Sequence, residues 1–160
     1  MNMNNRLIEI KNLRKWFYTG QAIAGKKEAL RAVDDVSFFI NRREVLGLVG
    51  ESGCGKTTCG KMILRILDPT SGSIYFDNEE ITHLNKSEMQ RFRRKMMIIY
   101  QDPYGSLDPR MRIGQAISEP LEVHNIGTTR KRRELVIELM EKVGLSPDQI
   151  NRYPHEFSGG

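Results

Sequence analysis

The sequence predicts an α/β fold, and three consecutive stretches predict it. Val45-Leu46-Gly47-Leu48-Val49 is a short apolar run without alternation, the pattern of a strand buried on both faces of a parallel sheet. The next eight residues, Gly50-Glu51-Ser52-Gly53-Cys54-Gly55-Lys56-Thr57, match the phosphate-binding pattern G-x-x-x-x-G-K-[ST] at every fixed position. After them Cys59, Met62, Ile63, Ile66 and Leu67 recur at spacings of three and four, which predicts one apolar stripe on a helix stopped by Asp68-Pro69. Strand, loop and helix in this order give the pattern its structural context.

The chemistry follows from that geometry. Glycines let the backbone turn tightly and approach an anion, while successive N–H groups and the positive helix end point inward at phosphates. Lys56 is placed to reach the β- and γ-phosphates of a nucleotide, and the Thr57 hydroxyl to ligate a bridging Mg²⁺. Each charge-assisted hydrogen bond is worth roughly 1.5–3 kcal/mol.

The other elements follow in order. Leu7, Ile8, Ile10 and Leu13 read as a strand that ends in Trp16-Phe17-Tyr18, and Thr19 to Lys27, with Gly20 and Gly25, reads as a loop. Val36, Phe38 and Ile40 alternate in a second strand, and these early strands are antiparallel candidates. Ser73 to Phe76, the turn Asp77-Asn78 and Ile81 form a hairpin. Ser87 and Gln90 have capping-box spacing for a short helix through Lys95. Met96-Met97-Ile98-Ile99-Tyr100 is a second candidate buried strand, with Gln101 at its carboxyl end, where ligands collect in open α/β sheets. From Asp102 to Pro109 the composition is that of a loop. Ile113, Ala116, Ile117 and Leu121 trace a helix interrupted near Pro120. Thr129 then caps a stronger helix with Leu135, Val136, Leu139, Met140 and Val143 on one face and Gly144 as its stop. Residues 1–102 thus form a β subdomain with the loop-bearing core, and residues 103–160 a helical subdomain.

Composition sets the bounds. A chain of 160 residues with 39% hydrophobic and 28% charged residues suits one globular domain. No apolar run approaches the roughly 20 residues that span a bilayer, and the first six residues have no apolar signal core. The two cysteines, Cys54 in the loop and Cys59 on the helix stripe, have no ligand partners for zinc and fit a reducing, cytosolic compartment. The basic runs Arg93-Arg94-Lys95 and Arg130-Lys131-Arg132-Arg133 fall in predicted helices without interleaved aromatics and read as solvated faces, so no nucleic-acid role is expected.

Four blocks in order carry a resemblance: Ala32 to Phe38, Val49 to Lys56, Tyr100 to Met111 and Asn151 to Gly160. On these the sequence resembles an ATP-binding subunit of an ABC transporter, and is most similar to those of oligopeptide and dipeptide importers. The resemblance implies a P-loop NTPase fold, an ABC-type nucleotide-binding domain with an antiparallel β subdomain and a helical subdomain. It implies ATP and Mg²⁺ as ligands, held by Gly50, Glu51, Ser52, Gly53, Cys54, Gly55, Lys56, Thr57 and Thr58. Phe17 matches the aromatic that stacks on adenine, with Trp16 the alternative one residue away. Gln101 matches the glutamine that meets Mg²⁺ and the attacking water, so Lys56 and Gln101 are the implied catalytic pair and Thr57 and Gln101 the implied metal contacts. Ser158, Gly159 and Gly160 match the signature motif that binds the γ-phosphate held by a second subunit.

The same resemblance implies an ATPase that drives uptake of peptides or a related small solute at the cytoplasmic face of the membrane. Its partners would be a second ATP-binding subunit, transmembrane permease subunits and, indirectly, an extracytoplasmic solute-binding protein. A soluble ABC-type ATPase acting on nucleic acid or in translation is the alternative. The family continues past its signature to a magnesium-positioning aspartate, a general-base glutamate and a switch histidine, none of which follows Gly160 here. The expectation is therefore an N-terminal fragment, truncated before the Walker-B strand, that hydrolyses ATP negligibly by itself.

Overall fold

Alternating apolar residues near both ends of the first 41 positions build a long antiparallel ribbon, β1 (Arg6–Ile23) and β2 (Lys26–Asn41). The structure, a computed structural model, describes residues 5–23, 26–100 and 106–157, with the backbone alone for 19–23 and 26–28. The chain divides into two units, Met1–Ile98 and Ile99–Gly160.

In the first unit the ladder between β1 and β2 breaks where Asn12 and Asp35 take left-handed φ angles of 48° and 58°. These residue types tolerate that conformation. Their side chains repair the break, Asn12 Nδ2 donating to Asp35 Oδ1 at 3.1 Å while the Asn12 N–H donates to Ser37 Oγ at 2.7 Å. β3 (Ser71–Phe76) pairs with β1, and β4 (Glu79–Glu80) completes the order β2-β1-β3-β4, antiparallel throughout. Asp77 and Asn78 both have positive φ, the requirement of the two-residue hairpin turn that matches strand twist.

One face of this sheet buries Ile10, Leu13, Val33, Ile74 and Phe76. Against it pack Cys59, Met62 and Ile63 of α1 (Lys56–Ile63), Met89 and Phe92 of α2 (Lys86–Arg93), and Ile81. The Phe76 and Phe92 rings meet edge to face at 5.8 Å. Each large side chain buried in this way contributes about 1.5–3 kcal/mol.

Six expectations for residues up to 100 are corrected. Residues 19–23 and 26–27 are strand and not loop, Thr19 lying opposite Glu28 and Ile23 opposite Lys26, because pairing along the ribbon outweighs the turn signal of Gly20; Gly25 lies outside the described residues. The runs 45–49 and 96–100 form no strand. Val45 and Val49 are 96% and 97% exposed and Met97 and Ile99 86% and 92%, since an apolar run becomes a buried strand only beside a ladder partner, and the sheet formed here offers none. α1 ends at Ile63, short of Asp68, and Ile66 is left exposed. Arg65 turns left-handed at φ 52°, its Nε donates to the Ile81 carbonyl at 2.9 Å, and Arg93 caps the Leu64 and Arg65 carbonyls. The capping box of α2 is Asn85 with Glu88, two residues before the expected pair, and closes with bonds of 3.0 and 2.8 Å. That helix stops at Arg93 rather than Lys95, with the Lys95 N–H turned back to the Phe92 carbonyl at 2.8 Å.

The second unit is helical. α3 (Ile113–Val123) runs through Pro120 instead of being interrupted there, because the proline stands in its last turns and removes a single ladder bond. α4 (Thr129–Lys142) is capped by Thr128, whose Oγ1 accepts from the Lys131 N–H at 3.3 Å, one residue before the expected cap. Val136 and Met140 are its buried residues, whereas Leu139 and Val143 of the expected stripe are exposed. Gly144 ends it at φ 78°, with the Gly144 N–H on the Glu141 carbonyl and the Leu145 N–H on that of Met140, the paired bonds of a Schellman cap. The 3-10 turns Pro147–Asn151 and Pro154–Glu156 follow. No helix among the described residues is long and apolar enough to cross a membrane.

Candidate functional site

The turn from Gly50 into α1 is set by glycine. Gly55, the N-cap of α1, has φ 94°, and a Cβ there would land on the Ala32 carbonyl oxygen of β2. Only a residue without a side chain lets the loop lie against the strand in this conformation. Gly53 is also left-handed, at φ 83°, and the Cys54 N–H closes a turn onto the Glu51 carbonyl at 3.3 Å.

This geometry leaves the N-terminal end of α1 bare. Its glycine cap supplies no side-chain acceptor, and no acidic residue occupies the first turn. The first backbone N–H groups of a helix have no intrahelical partners, so here they and the positive helix end are left for an anion from outside the chain. Lys56 adds a full charge at the same place. Its Nζ folds over the loop, donating to the Gly50 and Glu51 carbonyls at 2.7 and 2.6 Å and lying 3.5 Å from Cys54 Sγ. Thr57 is exposed and Thr58 half-buried beside it, while Glu51, Ser52, Gly53 and Cys54 all face solvent.

A cavity of about 430 Å³ adjoins the loop. Cys54, Gly55, Lys56 and Cys59 line one side of it, and Arg31 and Asp34 of β2 stand on another. Burial pushes the Cys59 thiol pKa up. Arg31 lies over the Trp16 ring at 5.0 Å from its centre, and Trp16 Nε1 donates to Asp34 Oδ1 at 3.3 Å. The cavity is thereby linked to Trp16. Phe17, one residue on, is 38% exposed with the Lys15 ammonium 5.2 Å from its ring centre.

The structure thus gathers the loop residues 50–58, and it ties Trp16 rather than Phe17 to residues that line the adjoining cavity. Gln101, Ser158, Gly159 and Gly160 lie outside the described residues. Sequence reasoning missed Arg31 and the cavity-lining role of Asp34. Both are brought there by the pairing of β1 with β2, which places Arg31 opposite Trp16 and which no local pattern announces.

The family described as ABC transporter matches residues 33–160. The putative oligopeptide transport ATP-binding protein YkfD of Bacillus subtilis is 48% identical over 155 residues, 96% of this chain and 46% of that protein. The oligopeptide transport ATP-binding protein OppF of the same organism is 47% identical over 161 residues, 99% of this chain and 50% of its own length. The chain spans about half the length of the curated relatives it matches. Among solved structures, the ATP-binding cassette MJ0796, in a dimeric post-hydrolysis state bound to ADP and Pi, superposes with a TM-score of 0.75 at 26% identity, covering 95% of this chain and 63% of that one. A match across residues 33–160, most of the chain, leads to one conclusion: the chain belongs to the ABC transporter family.

Proposed function

We propose that this chain is the nucleotide-holding part of an ATP-binding subunit that couples ATP hydrolysis to import of peptides or a related small solute. The observation that carries the reading is the uncapped, acid-free N-terminus of α1 with the Lys56 ammonium drawn into the loop mouth. Such an arrangement is unfavourable for a helix left to itself and favourable for one that meets a polyphosphate. The transport assignment is supported by the relatives, which are named as oligopeptide transport ATP-binding proteins.

In this reading the N–H groups of the loop and first turn hold the phosphates, and Lys56 exchanges its two carbonyl partners for phosphate oxygens. Thr57, an exposed hard oxygen donor next to Lys56, fits Mg²⁺, which when bound neutralises charge developing on the β- and γ-phosphates. Phe17 is assigned the adenine platform, with Trp16 favoured as a second reading by its link to the cavity. Gln101 is assigned to orienting water, and Ser158, Gly159 and Gly160 to the γ-phosphate of a second subunit. Residues 1–102 form the β subdomain and core, and 103–160 the helical subdomain. The subunit works as a dimer with permease subunits at the cytoplasmic membrane face, served by a solute-binding protein outside. The test is Lys56→Ala in the complete transporter: ATP-dependent peptide uptake is lost, and retained uptake overturns the proposal.

A further inference from the structure

α4 places basic residues at its N-terminal end, where a helix favours acids, while Lys142 in the last turn has the favoured sign. Arg130, Lys131, Arg132 and Arg133 stand near its positive N-terminal end, no acid occupies its first turn, and Glu134, Glu138 and Glu141 come after them. Glu119 and Glu122 of α3 line the same cavity as Arg132 and Arg133, with no ion pair to either among the described residues, so the run is offset only in part. Glu134 is shared by Arg130 and Lys131, each at 3.3 Å, and Arg132 Nε donates to the Ile126 carbonyl at 3.0 Å. Arg133 is exposed and has no ion pair among the described residues. The Arg130 side chain is 92% exposed and that of Lys131 60%.

Four consecutive helical residues fan out at about 100° steps, so a partner lying along one side of α4 meets only part of the run. A broad, diffusely anionic surface laid across the helix end meets it together. Phe, Tyr and Trp are absent between Tyr104 and Tyr153, so the patch has no platform on which bases stack. We propose that this end of α4 docks on an anionic phospholipid surface, with Arg130, Lys131 and Arg133 against headgroup phosphates. The proposal rests on the import reading for the choice of a membrane, while the charge arrangement is independent of the nucleotide loop. Attraction of this kind grows with each basic residue and fades within a Debye length, so it is sensitive to salt.

The experiment is flotation of the 160-residue chain with phosphatidylcholine vesicles that contain or lack phosphatidylglycerol. The chain should float only with the anionic vesicles and be released as salt rises from about 50 to about 300 mM. The double variant Arg130→Gln/Arg133→Gln should bind them about ten- to thirtyfold more weakly, without a fall in its thermal midpoint. Equal flotation with neutral vesicles, which the exposed Val45, Val49 and Met97 would cause, overturns the proposal, as do salt-insensitive binding, an unaffected variant or tighter capture by duplex DNA. A parallel Mg·ATP titration separates the two readings. Lost flotation with intact nucleotide binding removes this proposal alone, and the converse removes the import reading.

Discussion

The ammonium of Lys56 donates to the carbonyl of Gly50 at 2.7 Å, six residues earlier in the chain, and so closes the loop into a ring around its own charge. The Glu51 carbonyl takes a second bond at 2.6 Å. A bound polyphosphate offers this ammonium charged oxygens in place of neutral ones, at a site whose backbone is already turned. Ordering cost is thereby met before the ligand arrives.

Gly55→Ala tests how far the loop depends on its contact with β2. The substitution puts a Cβ at φ 94° and onto the Ala32 carbonyl, so the loop must move or the strand give way. Thermal or urea unfolding should show a loss of about 1–3 kcal/mol, accompanied by loss of Mg·ATP binding. A variant as stable as the parent would mean that the loop does not lie against the strand in solution.

Trp16 is the one tryptophan of the chain, and its two partners, Arg31 and Asp34, line the cavity beside Lys56. Mg·ATP should therefore change tryptophan emission saturably, and Asp34→Asn should alter that response. Emission that stays constant at saturating nucleotide would place the base away from Trp16.

The two thiols should differ. Cys54 is exposed in the loop and Cys59 is buried on α1, so a thiol reagent labels Cys54 first and Mg·ATP protects it. Protection that fails to appear contradicts the placement of phosphate at the loop. Because burial raises the Cys59 pKa, its contribution to stability is complete below the ordinary thiol range and is lost as pH climbs from there toward the raised value. Urea midpoints measured across that alkaline range should fall less in Cys59→Ala than in the parent.

What could be read in the sequence was what local chemistry decides. Asp77-Asn78 supply their own hairpin turn, Gly144 its own helix stop, and the glycines from Gly50 to Gly55 their own loop. What could not be read depends on distant partners. Val45 to Val49 advertise burial, but the ladder that would make them a strand is not set by their own residues. The end of α1 is decided by Arg93, which stands nearly thirty residues away. At the site the same division holds: Lys56 follows from its motif, whereas Arg31 and Asp34 arrive through strand register.

Isothermal titration calorimetry of the chain with Mg·ATP, alongside Lys56→Ala, tests the central claim most directly. Saturable binding that weakens about ten- to a hundredfold in the variant is the predicted result, the equivalent of about one charge-assisted hydrogen bond. Absence of binding by the parent chain, or equal affinity in the variant, would contradict the assignment of the Gly50–Thr57 loop as the phosphate site.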